Sequence, residues 1–359
     1  MDPRDLPTIA IEATFLTDER ATGIGRYTRQ LIEALSALDL PAEQEFRLLQ
    51  LYKRSRWRLK HRLAHGPRLD SAAWFGPLWP LPRPSAQVLH VQDEREPPWR
   101  TPLVATIHDL YAALNINYTD EKRRLRKVRH YEHLRDRCSR LVCVSENTRR
   151  DFLRLIGGDP ERLKVVPLGV SPMFRPHAPD EIAGLRSRLD LPKPYLMFVG
   201  ATANKNLART LAAFSAGGFA RDFTLAVVGE QKAPTQAPGV RYLGHVDDAE
   251  LPLLYAGAEA YLFPSLYEGF GLPILEAMAS GTPVLTSDRA SCPEVAAGHA
   301  VIADPEDVDA LAAGMAGALN LSQGEREAAL AYARSRSWEA TARGTLAVWR
   351  EAMAEPARR

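Results

Sequence analysis

SLYEGFGLPILEAMASGTP, Ser265–Pro283, follows directly on the apolar run AYLFP, Ala260–Pro264, and together they read as one unit. AYLFP has the length and composition of a buried strand closed by a proline. Glu268, Gly269, Phe270 and Gly271 then form a loop whose glycines let backbone come close to a ligand. Leu272 and Pro273 stand where a first helical turn begins, and Gly281 where the helix ends. A strand, a glycine loop and a helix N-terminus present free N–H groups and a partial positive charge outward, which suits a phosphate or diphosphate. Two carboxylates flank that site, Glu268 in the loop and Glu276 within the helix. Carboxylates do not bind anions, but they accept hydrogen bonds from the hydroxyls of a sugar or ribose. Anion site and hydroxyl acceptors together point to a sugar nucleotide.

The spacing Glu268-x7-Glu276, set in YEGFGLPILEAMASGTPV, resembles the signature of the retaining GT-B glycosyltransferases of family 4 (GT4). Any strand, glycine loop and helix in an α/β protein can carry glutamates on a solvated face. The register of nineteen consecutive residues tells against that bland reading here. The resemblance covers most of the chain and is strongest from Lys164 to about Met315. It implies an α/β fold of GT-B type, with two Rossmann-like doubly wound domains facing a central cleft.

Composition is compatible with this. A chain of 359 residues exceeds one ordinary core and suggests two domains of about 170 residues each. Hydrophobic content of 45% with 25% charged residues is that of a globular protein. No apolar run nears the roughly 18 residues of a membrane span, and the opening MDPRDLPTIAIEATF lacks the basic region and long apolar core expected of a signal peptide. Cys138, Cys143 and Cys292 cannot all pair and lack metal-ligand spacing, so a reduced cytoplasm is expected. Net charge is +2, yet 30 of the 46 Lys and Arg and only 23 of the 44 Asp and Glu lie before Glu181. A basic first half suits an anionic membrane surface or a lipid-diphosphate-linked acceptor; the plain alternative is a solvated surface.

Taken in order, TIAIEA (Thr8–Ala13) reads as a first strand, TGIGRYT as a polar loop and RQLIEALSAL as an amphipathic helix. The third glycine of a dinucleotide fingerprint would fall on Thr28, which weakens a dehydrogenase reading. The same string resembles the amino-terminal loop of family 4 enzymes, which assigns Gly23, Gly25 and Arg26 to the donor diphosphate. FRLLQLY is a strand. KRSRWRLKHRL (Lys53–Leu63) reads as an interfacial helix or a solvated segment, and nothing beside it supports nucleic-acid binding. Pro67–Pro84 reads as irregular structure. VLHVQ (Val88–Gln92) and LVATIHD (Leu103–Asp109) are core strands, and His108 sits beyond a strand's carboxyl end, where ligands of parallel sheets bind. By resemblance His108 contacts the donor hexose. EKRRLRKVRHYEHLRDR is a long basic helix, a second contact for an anionic surface.

Prolines from 172 to 194 suggest a linker, after which YLMFVG starts a second sheet. Lys205 and Asn206 follow it, with the lysine placed to neutralise a diphosphate. In family 4 a further basic residue usually precedes this pair; here Asn204 stands there, and Arg209 is the candidate substitute. The GHV segment (Gly244–Val246) resembles the part that holds the nucleotide base. Asp307-Val308-Asp309 has the form of a metal motif from another fold, but after a proline it reads as first-turn acids of a helix.

These readings divide the chain into an acceptor-binding domain over 1–176, a nucleotide-sugar domain over 177–336 and a helix over 337–359 that crosses back. The implied activity is transfer of a hexose from a nucleotide diphosphate sugar to a hydroxyl with retention. His108, Glu268 and Lys205 carry the chemistry. Donor-binding falls to Gly23, Gly25, Arg26, Lys205, Asn206, Gly269, Phe270, Gly271, Leu272 and Glu276. No metal and no cofactor beyond the co-substrate is expected. The pairing of GIGRYT with SLYEGFGLPILEAMASGTPVLTS resembles the mannosyl- and rhamnosyltransferases of bacterial surface polysaccharides, which implies GDP-mannose. A UDP-sugar donor is the alternative, and a sugar-nucleotide epimerase of the same architecture is another. The implied partners are a glycan or lipid-linked acceptor and, through the basic helices, the inner face of the plasma membrane.

Overall fold

A computed structural model describes residues 6–17, 23–53, 63–64, 68–74, 86–92, 101–114, 120–191, 193–200, 202–231 and 235–355. The chain divides into two compact units, Met1–Gly169 with Trp338–Arg359, and Val170–Ser337.

The first unit contains β1 (Thr8–Glu12), α1 (Gly23–Ser36), β2 (Arg47–Lys53), β3 (Leu69–Trp74), β4 (Val88–Val91), β5 (Leu103–Ile107), α2 (Tyr111–Leu114), α3 (Glu121–Arg137), β6 (Arg140–Cys143), α4 (Glu146–Leu155) and β7 (Leu163–Val165). Among the described residues its seven strands are all parallel, in the order β3-β2-β1-β4-β5-β6-β7. β4 and β5 are buried throughout, as parallel strands covered on both faces must be. Ala10, Leu89, Val91, Ile107, Leu134 and Phe152 contribute to one core.

The second unit holds α5 (Pro179–Arg188), β8 (Tyr195–Val199), α6 (Leu207–Ala216), β9 (Thr224–Val228), β10 (Val240–Gly244), α7 (Leu251–Ala256), β11 (Ala260–Phe263), α8 (Leu272–Ala279), β12 (Val284–Ser287), α9 (Cys292–Ala296), β13 (Val301–Ala303), α10 (Val308–Leu319) and α11 (Gln323–Ser335). Among the described residues its six parallel strands run β10-β9-β8-β11-β12-β13. Phe198, Phe214, Val227, Leu262, Leu285 and Met315 fill its core.

The last helix, α12 (Trp338–Met353), belongs to the first unit. Its apolar face places Trp349, fully buried, edge-on to Phe46 at 6.2 Å. Burying an indole of this size contributes about 5 kcal/mol as an upper value. Arg140 pairs with Glu351 at 2.9 Å and Glu355 at 2.8 Å at the helix end.

Three expectations are corrected. Within Pro67–Pro84, Leu69–Trp74 is not irregular but an edge strand, registered from Leu48↔Leu69 to Lys53↔Trp74. The prolines and glycines of that stretch flank the strand and do not interrupt it. The stretch read as a linker contains α5, whose Pro179 occupies the first turn, where a proline costs no hydrogen bond. Gly23, Gly25 and Arg26 lie in the opening turns of α1 and not in a loop before it. Of KRSRWRLKHRL, Lys53 ends β2 and Leu63 is described, while 54–62 lie outside the described residues.

Candidate functional site

In each sheet the strand order reverses at one point, between β1 and β4 in the first and between β8 and β11 in the second. Crevices beyond the carboxyl ends of strands at such points are where parallel sheets bind ligands.

In the second unit the loop after β8 begins at Gly200, φ +140°, and ends in a tight turn over Ala203–Lys205. Asn206, φ +68°, joins that turn to α6. Its buried side-chain amide donates to the Pro264 carbonyl at 3.2 Å and the Pro305 carbonyl at 2.6 Å, and its Oδ1 accepts from Arg209 at 3.2 Å. The side chain of Asn206 is therefore committed to the protein, as a clasp between three loops and not as a free ligand contact. Asn204 stitches the same loop to the next one, accepting from the Leu266 N–H at 2.8 Å and donating to the Tyr267 carbonyl at 3.3 Å. Arg209 is engaged with Glu306 at 3.6 Å as well as with Asn206.

These bonds bring together residues 63 apart in sequence. Lys205 Nζ lies 2.7 Å from Glu268 Oε1, with the two side chains 21% and 16% exposed. The ammonium also sits 4.6 Å from the Phe263 ring centroid, a cation–π contact. Beyond Glu268 the loop is fixed by Ser291, whose hydroxyl lies 2.6 Å from the Phe270 carbonyl and 3.0 Å from that of Glu268. Gly271, φ +101°, is the N-cap of α8, and a Cβ there would stand 3.2 Å from Ile274 Cδ1. Among the described residues no protein acceptor meets the backbone N–H groups of Phe270, Gly271 or Leu272, so the start of α8 offers free donors. Glu276 follows within α8, 2% exposed, accepting from the Tyr255 hydroxyl at 3.4 Å. β10 ends at Gly244, φ +65°, beside the exposed His245. Asp307 is a helix cap, its Oδ1 accepting from the N–H groups of Asp309 and Ala310, as the sequence reading of first-turn acids requires.

In the first unit His108 follows β5. Its Nε2 lies 3.2 Å from Gln92 Oε1, and the Tyr27 ring meets it edge-on at 4.7 Å. Behind them runs a buried chain. Trp349 Nε1 donates to His90 Nδ1 at 3.1 Å, His90 Nε2 reaches Thr106 Oγ1 at 2.8 Å, and that hydroxyl lies 3.2 Å from Tyr27 Oη. His108 keeps a small accessible edge, yet enclosure pushes its pKa down to about 3, with Lys127 adding to the effect. Burial does the same to His90, also to about 3 and helped by His108, and pushes Tyr27 up to about 12. Both imidazoles are neutral at neutral pH and act through hydrogen bonds, not charge. Sequence reading did not find Tyr27, Gln92, His90 or Trp349. The first three lie inside quoted strings, but only strand register shows that they converge on His108.

Two doubly wound parallel sheets, each reversing its strand order at one point, are the architecture of the GT-B class of glycosyltransferase. Residues 193–320 match the family model described as "Glycosyl transferases group 1", and residues 21–174 match "Glycosyltransferase Family 4". The chain belongs to this family. It is 29% identical to the O-antigen chain mannosyltransferase B of Escherichia coli over 89% of this chain and 93% of that one. It is 31% identical to the MMP alpha-(1->4)-mannosyltransferase of Mycolicibacterium hassiacum over 71% of this chain and 67% of that one. Among solved structures, sucrose-phosphate synthase of Thermosynechococcus elongatus shares the fold, with a TM-score of 0.70 at 20% identity over 97% of this chain and 99% of that one. The protein is accordingly a glycosyltransferase. Among the described residues no helix is long and apolar enough to cross a membrane.

Proposed function

We propose that the protein transfers a mannose-type hexose from a GDP-linked donor to a hydroxyl of a glycan or lipid-linked oligosaccharide in bacterial surface polysaccharide assembly, with retention and without a metal ion. The observation that carries this reading is the Lys205–Glu268 pair beside the unpaired N–H groups at the start of α8. Transfer requires that the leaving diphosphate be stabilised more as its charge develops than before. The Lys205 ammonium has three protons and can keep Glu268 while donating to a phosphate oxygen. Phe270 and Gly271 supply backbone N–H groups along the α8 dipole, and Gly269 gives the loop room for close approach.

Glu268 is assigned to hydroxyls of the donor sugar and Glu276 to those of the ribose. His108, neutral, takes a sugar hydroxyl, and Gly23, Gly25 and Arg26 at the start of α1 serve the diphosphate. Asn206 holds Lys205 in place. The names of the two mannosyltransferase relatives favour the mannose-type donor over a UDP-sugar. The test is product analysis with GDP-mannose and UDP-glucose, with and without acceptor glycans, reading the anomeric configuration of the product by NMR and repeating the assay in EDTA. An α-linked product from GDP-mannose that survives EDTA supports the proposal. A β-linked product or loss in EDTA refutes the mechanism. Turnover of UDP-glucose alone moves the donor, and conversion without acceptor favours an epimerase.

Membrane attachment on the cytoplasmic side belongs to the same proposal. Lys122, Arg123, Arg126 and Arg129 are exposed on α3 beside Leu125, which is 38% exposed. Neutralising the cations of Lys122–Lys127 should abolish partitioning to anionic liposomes, and unchanged partitioning rejects this attachment.

A further inference from the structure

Gln92 follows β4 at the reversal point of the first sheet, and its side chain is fully buried. Its Oε1 lies 3.2 Å from His108 Nε2, while its own Nε2 is buried without a hydrogen-bond partner among the described residues. A buried donor left unmade is destabilising and rare, so an apolar side chain of similar length would be the more stable filler. Among the described residues the one bond that the side-chain amide makes is to His108. We propose that Gln92 is a positioning residue for His108: its carbonyl oxygen keeps the imidazole proton on Nε2 and leaves Nδ1 as a hydrogen-bond acceptor for a hydroxyl of the bound sugar.

A neutral imidazole carries one N–H, and a carbonyl oxygen can only accept. The bond to Gln92 therefore decides which nitrogen donates and which accepts. The same logic operates one strand away on His90, where Trp349 donates to Nδ1 and the proton is left on Nε2 for Thr106. Tyr27 meets the His108 ring edge-on and limits its rotation, so the tautomer also sets what faces outward. Among the described residues the titratable groups around His108 are Tyr27 on α1, His90 on β4, Lys127 on α3 and the adjacent Asp109. The Asp109 carboxylate accepts from the Tyr111 N–H at 3.0 Å. Burial and Lys127 both oppose an imidazolium at His108, which leaves hydrogen bonding to fix the ring.

The second half of this proposal rests on His108 contacting the donor sugar, but its first half does not. The test is nitrogen-15 NMR of the full-length protein labelled at histidine, with kinetics alongside. Wild type is expected to show His108 protonated on Nε2, with no titration between pH 5.5 and 9. Gln92→Glu, which is isosteric, places a carboxylate against Nε2 and should bring the His108 titration up into that window, giving kcat/KM a new pH dependence. Gln92→Leu should melt no lower than wild type, populate both tautomers and lose about tenfold in kcat/KM, the worth of one hydrogen bond. A wild-type Nδ1–H tautomer overturns the proposal. So does a Gln92→Leu variant with unchanged tautomer and turnover. An Nε2 tautomer that depends on Gln92, in a protein that moves no sugar, would support the positioning and reject the transferase reading separately.

Discussion

Gly200→Ala adds one methyl group where the Lys205 side chain crosses the end of β8. A Cβ at position 200 would stand 2.5 Å from Lys205 Cγ, 3.1 Å from its Cβ and 3.3 Å from its Cδ. All three are well inside ordinary contact, and the atoms nearest the backbone cannot swing away without moving the 203–206 turn. The turn is itself pinned by the two carbonyl bonds of Asn206. The backbone at φ +140° adds strain for any side chain, on the order of 1–3 kcal/mol. For a unit of this size that predicts a melting temperature lower by roughly 2–12 °C. Lys205 should also leave Glu268, and kcat/KM should fall as far as in Lys205→Ala, about 100- to 1,000-fold for the loss of one donor to a developing anion. The decisive comparison is the double variant. If Gly200→Ala acts through Lys205, adding it to Lys205→Ala lowers kcat/KM no further, whereas independent effects multiply. A Gly200→Ala variant with wild-type kcat/KM, or a multiplicative double variant, would refute the reasoning.

Further outcomes follow from the same geometry. Glu268→Ala should lose turnover at least 100-fold while largely keeping nucleotide affinity by calorimetry; intact turnover rejects the assignment of Glu268. Asn206→Ala strands two buried carbonyl acceptors and should cost about 2–4 kcal/mol in urea unfolding. His90 and His108 both have folded pKa values near 3, below the ordinary 6.5, so the unfolded chain binds more protons between those limits. Stability should therefore be full above about pH 6.5 and decline as pH falls toward 3, by up to about 1.4 kcal/mol per pH unit for each histidine. His90→Asn should flatten that decline in a series of melting curves.

The fold was legible because its punctuation is local. Gly271 and Pro273 mark the start of α8, Gly281 its end, and the apolar runs before each loop mark strands. Where punctuation flanks an element or sits inside it harmlessly, the reading failed: β3 lies among prolines and glycines, and α5 begins on one. The candidate site could be read from the sequence only as separate residues, not as an assembly. Lys205 and Glu268 were each recognisable from their loops, while their ion pair depends on β8 and β11 being neighbours across a reversal of strand order. Asn206 looked like a ligand contact from its position beside Lys205, and only the register of the 264 and 305 loops shows what its amide holds. The chain from Trp349 through His90 to Tyr27 spans 259 residues between its first two members, a distance no local pattern bridges.

The most direct test of the central claim is thermal stabilisation of the wild-type protein and of Lys205→Ala by GDP, UDP, ADP and dTDP at matched concentration. A diphosphate at about 100 times its dissociation constant stabilises by roughly 2.7 kcal/mol, readily seen in a melting curve. GDP should raise the wild-type midpoint most and should lose most of that effect in Lys205→Ala. An absent response to all four nucleotides, or a GDP response that Lys205→Ala leaves intact, would contradict the account.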